Sequence, residues 1–167
     1  DFKFYTHGGT GPGCAGPGAG TGYLMWRALG ANQEDGDPPE LHTLPLSECV
    51  IFAAADMAAT KKTSADYTVL GIFAYSREYD QLFLLHLYRK RITTDQYNEE
   101  LVPLLEDYGC STTVVENVTY GQTFGQGLER KRMQVDYADA VSDKVARVID
   151  SQVSGRIRRG ALRVPRS

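Results

Sequence analysis

Long apolar runs are missing from this chain. No stretch approaches the roughly 18–20 residues that a membrane-spanning helix needs, and no secretory signal is present. Cysteine is scarce and scattered. Cys14, Cys49 and Cys110 never form a CxxC pair, so neither a zinc site nor a disulfide framework follows, and a reducing cytoplasm fits. Positive charge is not in excess: 18 Lys and Arg face 21 Asp and Glu, a net charge of −3. That balance does not advertise a nucleic-acid binder, although an acidic protein can still carry a local basic patch. Lysine is absent between Lys3 and Lys61, so the glycine-rich stretch 8–22 lacks the Lys that a phosphate-cradling P-loop requires. His7, His42 and His86 share no metal-like spacing. The first residue is Asp1 rather than Met, as expected of a processed product or of a piece of something longer.

What is present is an ordinary globular composition, 42% hydrophobic and 23% charged, in 167 residues, enough for one domain with a real core. Residues 8–22 hold eight of the 17 glycines and two prolines, which predicts a loop. Phe2–Thr6 and Gly22–Leu29 are expected as short strands around it, and Ala31–Glu40, ending in Pro38-Pro39, as a surface connection. The texture changes at Cys49. Cys49–Ala55 is a nearly continuous apolar run ending in Asp56, which suits a strand buried on both faces. Tyr67–Tyr75 and Gln81–Tyr88 predict a hairpin across the polar turn Ser76–Asp80.

Thr93 and Gln96 form a capping-box pair ahead of a helix carrying Tyr97, Leu101, Leu104, Leu105 and Tyr108 on one face. Pro103 predicts a kink in it and Gly109 its end. Thr112–Glu116 is a further strand, Tyr120–Lys131 a helix weakened by Gly121, Gly125 and Gly127, and Met133–Tyr137 another strand. Ser142 caps a last helix carrying Val145, Val148, Ile149 and Val153, and the tail 156–167 holds five arginines and no acid. Tyr120 and Phe124 are expected as core rather than as base-stacking platforms. The order predicts an α/β fold, a mixed sheet with helices on its faces.

Two acids then become a candidate pair. If the strand ending at Asp56 and the strand ending at Glu116 lie side by side in parallel, both carboxylates emerge at one sheet edge. Such carboxylates can bridge two divalent cations about 3.5–4 Å apart, one activating water and one stabilising a leaving oxygen. Oxygen donors suit Mg²⁺ or Mn²⁺. The blander alternative makes Asp56 a cap for the following turn and Glu116 an exposed strand end.

The segment AAADMAATKKTSADYTVLGIF around Asp56 resembles the start of the nuclease domain of phage large terminases. An apolar strand, an Asp, the small residues Met57–Ala59, Lys61-Lys62, and then Asp66-Tyr67-Thr68-Val69 follow in that family's order. Leu82–Arg91 resembles its leucine-rich strand closed by arginines. Thr113–Glu116 with Thr119-Tyr120-Gly121 and Gln126 resembles the strand bearing the second metal acid and the glycine-containing helix after it. Asp143-Lys144-Val145-Ala146-Arg147, Gly155-Arg156 and Val164-Pro165 are similar to the family's late segments, the last leading toward a final hairpin.

The resemblance implies an RNase H-like domain over residues 48–167 preceded by a strand- and loop-rich lead-in, 1–47. It implies a metal-dependent endonuclease that cuts concatemeric double-stranded DNA for packaging, with Asp56 and Glu116 holding Mg²⁺ or Mn²⁺. The implied partners are DNA, a small terminase subunit, a portal and an ATPase motor, in the cytoplasm of an infected bacterium and away from any membrane. The family's third metal acid lies past the Val-Pro segment, so the domain is expected to be truncated at its C-terminus, with Asp143 or Asp139 as substitutes. Asp66 is expected nearer a turn or supporting role than a ligand's. Lys61, Lys62, Lys144 and Arg147 either neutralise phosphates or are solvated, and the arginine tail is either a DNA contact or a frayed end. Two alternatives stand beside this reading: an inactive DNA-binding or docking module, and another RNase H-like nuclease of the resolvase or transposase kind.

Overall fold

A computed structural model describes residues 3–8, 22–28, 38–58, 67–139 and 161–165. Among the described residues nine strands form one mixed sheet. In chain order they are β1 (Lys3–Gly8), β2 (Tyr23–Ala28), β3 (Glu40–Pro45), β4 (Val50–Asp56), β5 (Thr68–Ser76), β6 (Gln81–Lys90), β7 (Thr112–Glu116), β8 (Val135–Ala138) and β9 (Leu162–Pro165). Their spatial order is β3-β2-β1-β9-β6-β5-β4-β7-β8. The helices α1 (Tyr97–Glu100) and α2 (Val102–Asp107) connect β6 to β7, and α3 (Thr119–Arg130) connects β7 to β8. This is the RNase H-like mixed sheet flanked by helices that the sequence implied.

The core forms where strand alternation meets helical periodicity. Ile51, Ala53 and Ala55 of β4 alternate inward, as do Leu70, Ile72 and Ala74 of β5 and Thr113 and Val115 of β7. Against that face α3 lays Gly121, Phe124, Gly125 and Leu128, the three- and four-residue spacing of one helix stripe. Tyr97, Leu101, Val102 and Leu105 complete the cluster from α1 and α2. The kink expected at Pro103 is real. The helix breaks at Leu101, so that Pro103 falls in the first turn of α2, where its missing N–H costs little. Gly109 closes α2 in the left-handed region (φ 61°).

Other expectations shift. Glu40–Pro45, not anticipated as a strand, pairs along its whole length with β2. Val164-Pro165 lies in β9, which runs parallel to both β1 and β6. Arg163 of the arginine-rich tail is neither frayed nor exposed. It is buried, its Nε donates to Gln81 Oε1 at 2.7 Å, its guanidinium lies 5.6 Å from the Trp26 ring, and burial pushes its pKa down to about 10. Phe124 is core as expected, but Tyr120 is exposed. Burial pushes the Cys49 thiol up to about 11 and the Cys110 thiol up to about 12, so neither forms thiolate at neutral pH. The expected helix beginning at Ser142, the loop at 9–21 and the arginines other than Arg163 in the tail lie outside the described residues.

Candidate active site

β4 and β7 are neighbours and run parallel, with Ala53 opposite Thr113 and Ala55 opposite Val115. The next step in that register brings Asp56 level with Glu116, each the last residue of its strand. Their side chains share a face, the one opposite Ala53, Ala55 and Val115, because successive residues of a strand alternate. Adjacent strands stand about 4.8 Å apart, a separation that two carboxylates can span around a cation. Asp56 is exposed and Glu116 half-buried.

The strand ends are anchored from behind. After Asp56 the chain continues through buried Met57 and Ala58. The Ala58 N–H donates to Thr68 Oγ1 (3.2 Å), and the Ala58 carbonyl accepts from the buried Tyr97 hydroxyl. Burial pushes the Tyr97 pKa up, which keeps that hydroxyl a donor. Tyr97→Phe should therefore cost about 1–3 kcal/mol by stranding a buried carbonyl. Urea unfolding measures that loss, and calorimetry should show weaker Mn²⁺ binding, because the lost bond anchors the residues that follow Asp56. At the end of β7 the Val118 N–H donates to the Glu116 carbonyl (2.8 Å), and α3 starts directly afterwards.

β8 extends the parallel set, with Glu116 opposite Ala138. Asp139, named in the sequence as a substitute acid, follows at the same edge. Asn117 Nδ2 donates to its Oδ1 (2.9 Å), and Gln122 Nε2 in turn donates to Asn117 Oδ1 (2.8 Å). Among the described residues no three of His, Cys, Asp and Glu are gathered closely enough to hold a metal ion, so Asp139 does not complete a cluster with the pair. Asp66, Lys61, Lys62, Asp143, Lys144 and Arg147 lie outside the described residues.

One feature was not singled out from the sequence. β6 also ends at this edge, and Val69 of β5 stands between Asp56 and Arg89 in register. The Arg89 guanidinium lies 3.5 Å from the centroid of the Tyr67 ring and that of Arg91 lies 4.2 Å from it. The arginines closing the strand were visible as a motif, but their face depends on a bulge that composition does not reveal.

With this geometry in view, the chain matches solved large terminase nucleases. The nuclease of thermophilic phage G20c, solved with bound magnesium, shares 15% identity over 99% of this chain and 70% of that one, at a TM-score of 0.57. The same nuclease with bound zinc covers 99% and 77% at 15% identity and 0.56. The large terminase nuclease domain of Thermus phage P74-26 covers 72% and 58% at 18% identity and 0.53. The fold is that of the large terminase nucleases. No protein-family model and no curated protein matches the sequence. The ends of β4 and β7 stand together because the two strands are parallel neighbours. That juxtaposition is what the isolated Asp56 and Glu116 motifs required. Two carboxylates are a hard-oxygen donor set of the kind that suits a divalent cation.

Proposed function

We propose that this chain is the nuclease domain of a viral DNA-packaging terminase and cuts double-stranded DNA with the help of a divalent metal. The observation that carries the reading is the register of β4 against β7, which brings Asp56 level with Glu116 on one face. The shared fold, met in nucleases solved with magnesium, zinc and cobalt, supports it. In this reading Asp56 and Glu116 hold Mg²⁺ or Mn²⁺, which when bound neutralises charge on the phosphodiester and activates water. Asp66 and Asp143 are supporting acids, and Lys61, Lys62, Lys144 and Arg147 meet phosphates. Residues 48–167 form the nuclease unit and 1–47 its lead-in. The partners are concatemeric DNA, a small terminase subunit, a portal and an ATPase motor, and the setting is the cytoplasm of an infected bacterium. Among the described residues no helix is long and apolar enough to cross a membrane.

The purified chain, incubated with supercoiled plasmid, should nick and linearise it with Mn²⁺ or Mg²⁺ and leave it intact with chelator. Gel electrophoresis reads the result. Equal cleavage with and without chelator would overturn the metal assignment. No cleavage with either metal would overturn the nuclease assignment for this chain.

A further inference from the structure

We infer that Arg89 and Arg91, stacked on Tyr67, form a phosphate clamp that grips the DNA backbone a few nucleotides from the scissile bond. The inference rests on the nuclease reading above and adds to it residues that neither the fold nor the carboxylate pair assigns. Three observations converge. The first is placement: Glu116, Asp56, Val69 and Arg89 form a row across four adjacent strands, all on one face at one edge of the sheet. At about 4.8 Å per strand, Arg89 stands on the order of 10 Å from Asp56. Duplex DNA rises about 3.4 Å per nucleotide along each strand, so that distance corresponds to roughly three steps of backbone.

The second observation is geometry. Each guanidinium lies within stacking distance of the Tyr67 ring, at 3.5 and 4.2 Å from its centroid. A guanidinium lying on a ring keeps its N–H edges in its own plane, the arrangement that meets phosphate oxygens in bidentate fashion. Both groups pack on one ring, which restricts the orientation of both forks.

The third is contrast. Lys90, between them in sequence, turns to the other face of the sheet. Its Nζ pairs with Glu100 Oε2 at 2.9 Å, and Glu100 also accepts from the Tyr88 hydroxyl at 2.6 Å. Lys90 is thus held in a surface ion pair on the helix side, whereas Arg89 lies on the side that carries the acids and shares the Tyr67 ring with Arg91.

The test measures DNA binding apart from cleavage. The full chain, in chelator, is titrated with a short fluorescent DNA duplex at several salt concentrations. Wild type should bind with a steep salt dependence. Arg89→Gln/Arg91→Gln should reduce the slope of log K against log salt by about 1.8, at about 0.9 per phosphate contact, and weaken binding roughly ten- to a hundredfold at 0.1 M salt. Mn²⁺ binding by calorimetry and the thermal midpoint should be unchanged. Tyr67→Leu, which keeps both charges but removes the ring, should keep the slope and lose affinity. If the double variant does not melt cooperatively, each single Gln variant should lower the slope by about 0.9. A double variant that binds with the wild-type slope and affinity overturns the clamp, as does wild type that fails to bind duplex DNA. Wild type that cleaves plasmid while the double variant binds unchanged overturns the clamp alone. Arginine-dependent binding with no cleavage in any metal overturns the nuclease reading and leaves the clamp standing.

Discussion

Asp56→Asn and Glu116→Gln are each expected to lower metal-dependent DNA cleavage by at least about a thousandfold. A metal that clamps the transferring phosphodiester supplies several kcal/mol of transition-state stabilisation, and each 1.36 kcal/mol is tenfold in rate. Both substitutions keep side-chain size and remove the charge, so geometry is preserved while affinity for a hard cation is lost. Calorimetry with Mn²⁺ should show the same loss as the rates.

A second readout separates this role from a structural one. Two carboxylates at facing positions of adjacent strands repel each other when no cation lies between them. The loss of cleavage should therefore far exceed anything that a change in melting temperature in chelator accounts for. Were Asp56 merely capping the turn after β4, Asp56→Asn would lower the melting temperature and leave cleavage nearly intact. That outcome would remove Asp56 from the site.

Gly121→Ala should damage the site from the other side. A Cβ at position 121 would stand 1.9 Å from the carbonyl oxygen of Glu116 and 3.0 Å from its carbonyl carbon. These are backbone atoms, held in place by the pairing of β7 and by the hydrogen bond from Val118 N–H. No side chain can swing away to relieve the clash, so either α3 lifts off the sheet or the end of β7 turns. Overpacking of this kind costs about 1–3 kcal/mol, and in a domain of this size each kcal/mol lowers the melting temperature by roughly 2–4 °C. A misplacement of about 1 Å at a reacting centre can cost roughly a hundredfold in rate, so cleavage should fall further than stability alone implies.

Gly127→Ala, in the same helix, is the control. Its nearest neighbour would be Asn98 Oδ1 at 3.2 Å, the end of a flexible side chain. The helix propensity gained, about 1 kcal/mol, offsets that contact, and both stability and cleavage should stay near wild type. Equal effects at the two positions would show that helix propensity, not the approach of α3 to Glu116, governs this glycine.

The pair of glycines also marks where reading the chain by itself stops. In sequence, Gly121, Gly125 and Gly127 are three equivalent weaknesses in one helix. In the folded protein Gly121 clears the Glu116 carbonyl, Gly125 clears the Tyr137 ring, whose hydroxyl would meet a Cβ at 2.6 Å, and Gly127 meets only a movable side chain. Propensity is a local property, whereas clearance belongs to two segments at once.

The place of each acid at the end of its strand was legible locally, whereas the parallel pairing of β4 with β7 that sets them level was decided by the tertiary fold. Cys49–Ala55 is an apolar run and Thr112–Val115 a short β-branched one, each of strand character and each followed by its acid. The helices between them were legible from the capping box at Thr93 and Gln96, the stripe from Tyr97 to Tyr108, the break forced by Pro103 and the stop at Gly109. The arginine clamp belongs to what the tertiary fold decided. Near the turn, Ser76 pairs with Gln81 and Phe73 with Leu84, and a hairpin continued in that register would set Val69 against Tyr88 and turn Arg89 to the helix face. The register instead shifts by one residue between Ile72 and Phe73, so Val69 meets Arg89, Tyr88 is buried and Leu87 is left exposed. The run LFLLHLY is apolar at both alternating sets of positions, so its own pattern is compatible with either face. A one-residue slip flips every side chain beyond it, and only packing against α1 and α2 selects which set is buried.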